Sequence, residues 1–160
     1  MNAALSADTD GPKGKSFPVR QAAPTDLPAI RALLDANGLP AADLSDKHAP
    51  WFLVATAHDA IIGSVAVEPC GSFGLLRSLA VYATARGQGV ARRLVEAIEA
   101  RAEGERLRGL YLLTTSGETF FARLGYARLE RWELPESIRR TEAFRSLCPD
   151  TAMAMMKRLR

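Results

Sequence analysis

Cysteine and histidine are nearly absent from this chain, with two of each in 160 residues. Cys70 and Cys148 are too few for a disulfide framework and have no metal-ligand spacing, so no stapled scaffold and no metal site are expected. Long apolar runs are missing as well. No stretch approaches the roughly 18–20 residues that cross a bilayer. The first residues, MNAALSADTDGPKGKSF, contain no apolar signal segment. A cytoplasmic location with no membrane partner is therefore expected. Neither sign of charge dominates, because 21 Lys and Arg stand against 18 Asp and Glu. Lysine is scarce, 4 against 17 arginines, and arginine suits bidentate contacts to phosphate and carboxylate. A nucleic-acid binder gathers its basic residues on one face. Here Glu96, Glu99, Arg101, Glu103, Glu105 and Arg106 interleave the signs, as on a solvated helix face, and no nucleic-acid partner is expected.

What remains is an ordinary globular composition, 48% hydrophobic and 24% charged. The length suits one domain that buries roughly two-thirds of its unfolded surface. Residues 1–16 are polar and read as a disordered tail, with a single domain over 17–160. Gly14-Lys15-Ser16 echoes a phosphate-binding Walker loop, but Thr9 stands where that loop needs glycine, and no strand precedes it.

Periodicity and turn signals predict the elements. A strand over 17–22 precedes a helix capped by Thr25 or Asp26 and ended by Gly38 and Pro40. Residues 39–50 form a loop or short helix. Strands over 51–56 and 61–67 make a hairpin turning at His58-Asp59-Ala60, and a third strand over 73–81 extends it. A polar, glycine-rich loop opens an amphipathic helix running to about Glu103. A strand over 110–114, a helix over 119–124 closed by Gly125, a strand over 126–134, a helical stretch over 137–145 and a strand over 153–159 follow. The order implies a mixed α/β fold, one sheet with helices on both faces.

Chemistry concentrates where the third strand feeds the loop. Helix N-termini offer unpaired N–H groups and a partial positive charge, which suit phosphate. Gly87, Gly89 and Ala91 let a pyrophosphate approach the backbone, and Arg86 and Arg92 add charge. A plain tight turn is the alternative.

Arg86-x-x-Gly89-x-Ala91, placed after a strand and before a helix, resembles the Arg/Gln-x-x-Gly-x-Gly/Ala signature of the GNAT acetyltransferase superfamily. Thr119-Phe120-Phe121-Ala122-Arg123-Leu124-Gly125-Tyr126 resembles that family's helix-to-strand element, and Val19-Arg20-x-Ala22-x-x-x-Asp26 its usual start. Together these motifs cover about residues 18–135. The resemblance implies a central, mostly antiparallel mixed sheet of six or seven strands and acetyl-CoA as donor. It places the pantetheine arm on the backbone of Leu79, Ala80 and Val81. It places the pyrophosphate on the amides from Arg86 through Gly87, Gln88, Gly89, Val90 and Ala91 to Arg92. Thr114, on a strand that splays from its neighbour, and Phe120 and Arg123, on the following helix, complete the expected cofactor surface. Dimers are common among such proteins, so a homodimer is a further expectation.

A narrower resemblance concerns the substrate. Leu76–Val81, Leu110–Thr115 and Phe120–Tyr126 resemble the acetyltransferase domain of acetylglutamate synthases and, more closely, short GNAT proteins associated with arsenic-resistance operons. The segment 147–152 resembles the second group too. That likeness implies a small-molecule amine acceptor, an amino acid or a glutamate-like phosphinate or arsinate; a protein lysine or N-terminal acetyltransferase and a non-catalytic acyl-CoA-binding module are the alternatives. It places Arg77 on the acceptor's carboxylate; Ser78 is a further candidate substrate residue, as is His48, which precedes Ala49-Pro50 in a loop that could line the acceptor cleft. The plainer alternative for Arg77 is a surface residue paired with Glu68 or Glu130. Glu68 is the expected base, with Glu118 as alternative. The family's acid, a tyrosine, is Phe121 here and cannot donate. Tyr126 takes its place in the expectation, with Tyr82, Tyr111, Cys148 or a water as alternatives.

Overall fold

The computed structural model describes residues 17–147 and 149–160; the expected tail 1–16, and Cys148, lie outside the described residues. Seven strands form one sheet, β1 (Val19–Gln21), β2 (Phe52–Ala57), β3 (Ala60–Cys70), β4 (Phe73–Val81), β5 (Gly109–Thr114), β6 (Ala127–Leu129) and β7 (Met153–Arg158). Their spatial order is β1-β2-β3-β4-β5-β7-β6. Only β4 and β5 run parallel; every other pair is antiparallel. Four helices accompany the sheet: α1 (Leu27–Ala36), α2 (Val90–Gly104), α3 (Glu118–Arg123) and α4 (Glu136–Arg139). No helix among the described residues is long and apolar enough to cross a membrane.

Side-chain alternation divides the core between the two faces. Val65, Val67, Leu76, Leu79, Leu110 and Leu112 point to one face and pack with Val90, Leu94, Val95 and Ile98 of α2. Ala66 and Ala80 point to the other and pack with Leu27, Ile30, Leu33 and Leu34 of α1. Leu75, Tyr111 and Leu113 extend that second face beneath Leu134 and Ile138 of the C-terminal region. Leu94 and Ile98 are fully buried, contributing about 2 kcal/mol each by area removed from water. The hairpin between β2 and β3 turns on His58 and Asp59, whose φ values of 50° and 64° match the twist that two-residue hairpin loops require.

Several expected elements are shorter than their sequence pattern or broken within it; the strand expected over 17–22 spans only Val19–Gln21. The strand expected over 126–134 survives only as β6. Its last residues turn into a 3₁₀ helix at Arg131–Glu133, where Glu133 Oε1 accepts the Glu130 N–H at 2.9 Å. The helix expected over 137–145 breaks at Thr141. There Oγ1 donates to the Ile138 carbonyl at 2.8 Å and accepts the Phe144 N–H at 3.1 Å, so a side chain competes with the helical ladder.

Candidate active site

The glycine-rich loop expected to hold phosphate joins the end of β4 to α2. Gly87 and Gly89 have φ values of +76° and +82°, a conformation that side chains with a Cβ adopt only at a cost. Gly89 is the N-cap of α2, so the turn delivers the chain straight into a helix start. The Arg86 guanidinium serves this loop from within. Its Nε donates to the Val81 carbonyl at 3.1 Å, and an Nη donates to Asn37 Oδ1, just past α1. Arg86 thus fastens the loop to the sheet and to α1, rather than presenting a free fork. Arg92, half-exposed, stands 3.7 Å from Glu96 one turn on.

β4 carries a bulge. Gly63 and Ser64 of β3 face Val81 and Ala80, but Ala66 faces Arg77, so β4 holds one extra residue there. The extra residue is accommodated at Ser78, whose φ is +58°. The buried Ser64 hydroxyl donates to the Ser78 carbonyl at 2.8 Å and holds the bulge in place. Bulges bend a strand and re-aim its backbone groups. On its other edge β4 pairs with β5 only at Gly74–Leu110 and Leu75–Tyr111. Beyond Leu75 the two strands part, since β4 continues along β3 while β5 continues along β7 to Thr114. The strand edge of Leu79, Ala80 and Val81 thus faces the gap. Thr114 is buried at the far lip, its Oγ1 accepting the Gly117 N–H at 2.8 Å. Phe120 is half-buried against Phe121, and Arg123 is exposed on α3.

On the α1 face lies a pocket of about 410 Å³ lined by Asp43, Lys47, His48, Trp51, Glu68 and Glu142. Glu68 sits opposite Leu75, where the seam between β4 and β5 ends. Behind Glu68 is Arg77, 1% exposed. Its two terminal nitrogens hold the Asp43 carboxylate at 2.7 and 2.8 Å, and one also reaches Glu68 Oε1 at 3.3 Å. Its Nε is buried without a partner. Arg77 was expected to offer its fork to a substrate carboxylate. The fork instead grips Asp43, which such a substrate would have to displace. Glu130, the other expected partner, is exposed at the turn after β6. Burial raises the Asp43 carboxyl pKa, but the Arg77 hydrogen bonds outweigh it and hold the group below the usual carboxylate range. For Glu68 burial wins over Arg77, and the pKa is raised. His48 Nδ1 accepts the Ser45 N–H at 2.9 Å, so a neutral ring carries its proton on Nε2. Burial lowers the His48 pKa and favours that neutral form.

Tyr126 does not join this group. It is buried with the α2 cluster on the opposite face. Its hydroxyl donates to Glu99 Oε2 at 2.8 Å, and burial followed by the Glu99 charge raises its pKa. The expectation of Tyr126 as acid therefore conflicts with its position, because the sheet stands between its hydroxyl and the pocket. Cys70 is buried, its thiol pKa pushed up to about 12 by burial and by the Glu68 charge. Asp43, Lys47 and Ser64 escaped sequence reasoning. The one available signal for Asp43 was Arg77 itself, a charge inside the apolar strand Leu75–Val81 that demands an acidic partner.

A family model described as an acetyltransferase (GNAT) domain matches residues 48–128, and the chain belongs to this family. An uncharacterized N-acetyltransferase of Chlorobaculum tepidum is 34% identical over 93 residues, which are 58% of this chain and 59% of that protein. The N-acetylglutamate synthase of Neisseria gonorrhoeae, solved with coenzyme A and N-acetyl-glutamate, superposes with a TM-score of 0.80 at 25% identity, over 92% of this chain and 36% of that one. Rv2747 of Mycobacterium tuberculosis, solved with CoA and NLQ, gives 0.73 at 25% identity, over 89% of this chain and 99% of that one. The chain thus spans little more than half of the curated relative and about a third of the synthase. Acetyl-CoA is the donor in this family. The left-handed glycines before α2 and the parted strands fit it.

Proposed function

We propose that the protein transfers the acetyl group of acetyl-CoA to the amine of a small molecule, an amino acid or a glutamate-like analogue. The observation that carries this reading is the acceptor pocket beside the end of the β4–β5 seam, with the raised-pKa carboxyl of Glu68 in its wall. The Gly87–Arg92 segment would hold the pyrophosphate, and the backbone of Leu79–Val81 the pantetheine. When bound, acetyl-CoA supplies the thioester carbonyl that the amine attacks and the thiolate that departs. Backbone N–H groups at the bulged strand suit a carbonyl oxygen that gains charge.

The pocket carries both signs. Asp43, Glu68 and Glu142 stand against Lys47 and the Nε2–H of neutral His48. That lining supports a zwitterion, its ammonium beside Glu68 and its carboxylate toward Lys47 and His48. An ammonium cannot attack, so a base must take its proton first. Glu68, raised above the ordinary 4.5, is nearer in proton affinity to its task than a solvated glutamate. Among the described residues no tyrosine lines the pocket. The ammonium loses two protons in all: Glu68 would take the first and pass it to water, then take the second from the nitrogen as the C–N bond forms and the C–S bond breaks, and return it to the departing thiolate.

A thiol-release assay with acetyl-CoA tests this on glutamate, the other amino acids, phosphinothricin, an arsenic analogue and a lysine peptide. An amino acid or its oxyanion analogue is expected to turn over. Glu68→Gln should lower kcat by about 10²–10⁴-fold and remove an acidic limb lying above pH 4.5, activity rising with pH as Glu68 loses its proton. Turnover of the peptide alone refutes the small-molecule acceptor. Tight CoA binding without turnover of any amine refutes catalysis.

A further inference from the structure

A second pocket, of about 440 Å³, lies away from the acceptor site. Arg106 and Arg108, in the connection after α2, and Arg158 and Arg160, at the end of β7, all line it. The phosphate loop is at the other end of α2, about 22 Å away for 15 residues at 1.5 Å each. Arg20, Arg77, Arg92, Arg101, Arg128 and Arg140 are all in ion pairs. None of the four pocket arginines is in one among the described residues. The single acid in the lining is Glu103, and its Oε2 already accepts the Arg160 N–H at 3.1 Å. Four arginine side chains stand against one glutamate side chain in the lining. The arginines that look scattered along the sequence converge here because β7 ends beside the start of β5, with Gly109 opposite Arg158.

The frame is rigid. Arg108 N–H donates to the Ser72 carbonyl at 2.8 Å, and Leu159 N–H to the Arg108 carbonyl at 3.0 Å. Arg106 holds a φ of +63° in the turn after α2, where glycine is the usual residue. The inner wall is apolar and aromatic, with Phe73 and Tyr111 edge to face at 5.4 Å. Unpaired guanidinium forks over an aromatic wall suit an anion carried on a flat body. A volume in the range of small-ligand sites favours a small molecule over a macromolecule.

We propose that this pocket is a second ligand site, for an aryl or nucleoside phosphate, separate from the acetyl-transfer site. The test titrates the full chain with phenyl phosphate and, separately, with inorganic phosphate, following amide resonances. Signals of Arg106–Gly109 and Leu159 report this pocket, and those of Gly87–Ala91 report the phosphate loop. Phenyl phosphate should shift the first set, at least about tenfold more tightly than inorganic phosphate. Repeating the titration with AMP distinguishes a nucleoside source from a simple aryl one. In the Arg106→Ser/Arg158→Ser double variant the affinity at Leu159 should fall by at least about tenfold, since charge-assisted bonds are among the strong ones. The loop signals should respond as before, and Arg139→Ser, an exposed change on α4, should leave both sets unaltered. Equal affinity for the two phosphates, no response at the amides of Arg106–Gly109 and Leu159, or unchanged affinity in a folded double variant would overturn the proposal.

Discussion

Replacing Arg77 by methionine keeps an unbranched stem in the core and removes the cation between Asp43 and Glu68. Loss of one partner from a buried ion pair costs about 3–5 kcal/mol, because the remaining charges lose their compensation. Asp43 and Glu68 retain 13% and 17% side-chain exposure, so water answers part of that loss, and about 3 kcal/mol is expected. For a chain of this size each kcal/mol lowers Tm by about 2–4 °C, giving a fall of about 6–12 °C. The pH dependence has a definite sign. Asp43 is held below its ordinary 3.8 by Arg77, against burial. Its contribution is present above the unfolded value and fades as pH falls through the lower folded value. Urea unfolding of wild type and Arg77→Met at pH 7 and at pH 3 should therefore show a gap that narrows in acid. An Asp43→Asn/Arg77→Met double variant should be less destabilised than the two single changes added together. A loss below about 1 kcal/mol at pH 7, together with a KM for an amino acid raised by about 100-fold, would refute the reasoning. Arg77 would then be a substrate ligand whose grip on Asp43 carries little weight.

Two further outcomes follow from the geometry. Gly89→Ala places a Cβ at a φ of +82° and should cost about 1 kcal/mol of stability, while weakening CoA binding measured by calorimetry. Tyr126→Phe removes a hydroxyl bonded to Glu99 and should lower stability by about 1 kcal/mol with kcat unchanged; a kcat loss of 100-fold or more would show that this hydroxyl does reach the reaction.

Much of the frame can be read directly from residue order. The bounds expected for β4 match those observed, because an apolar run ends at Val81 against a polar, glycine-rich loop. The His58-Asp59 turn is visible because two apolar runs flank it. The bulge was not visible. Ser78 resembles any small strand residue, and its left-handed φ follows from how β3 and β4 align, not from local propensity. The pocket proposed for the acceptor is legible in part. Glu68 and His48 stood out by residue type and both line it. Asp43 lies 34 positions from Arg77, in a loop where an aspartate ordinarily faces water. The burial of Arg77 makes that pairing necessary, and burial is a tertiary fact. Tyr126 is a tertiary case too, since it lies just before β6 and packs into the α2 cluster with its hydroxyl on Glu99.

The short seam between β4 and β5 has a mechanical consequence. Joined at two residue pairs, the sheet behaves as two leaves on one spine, β1 to β4 on one side and β5, β7 and β6 on the other. An extended ligand with amides of its own, lying between the leaves, acts as a temporary strand and restores rungs that the polypeptide omits. Under the proposed reaction the sheet is most continuous while its donor is aboard, and each release of product returns a length of backbone to water. Ligand occupancy and the stiffness of the fold are then one equilibrium, and amide exchange along Leu79–Val81 would slow as the donor concentration rises.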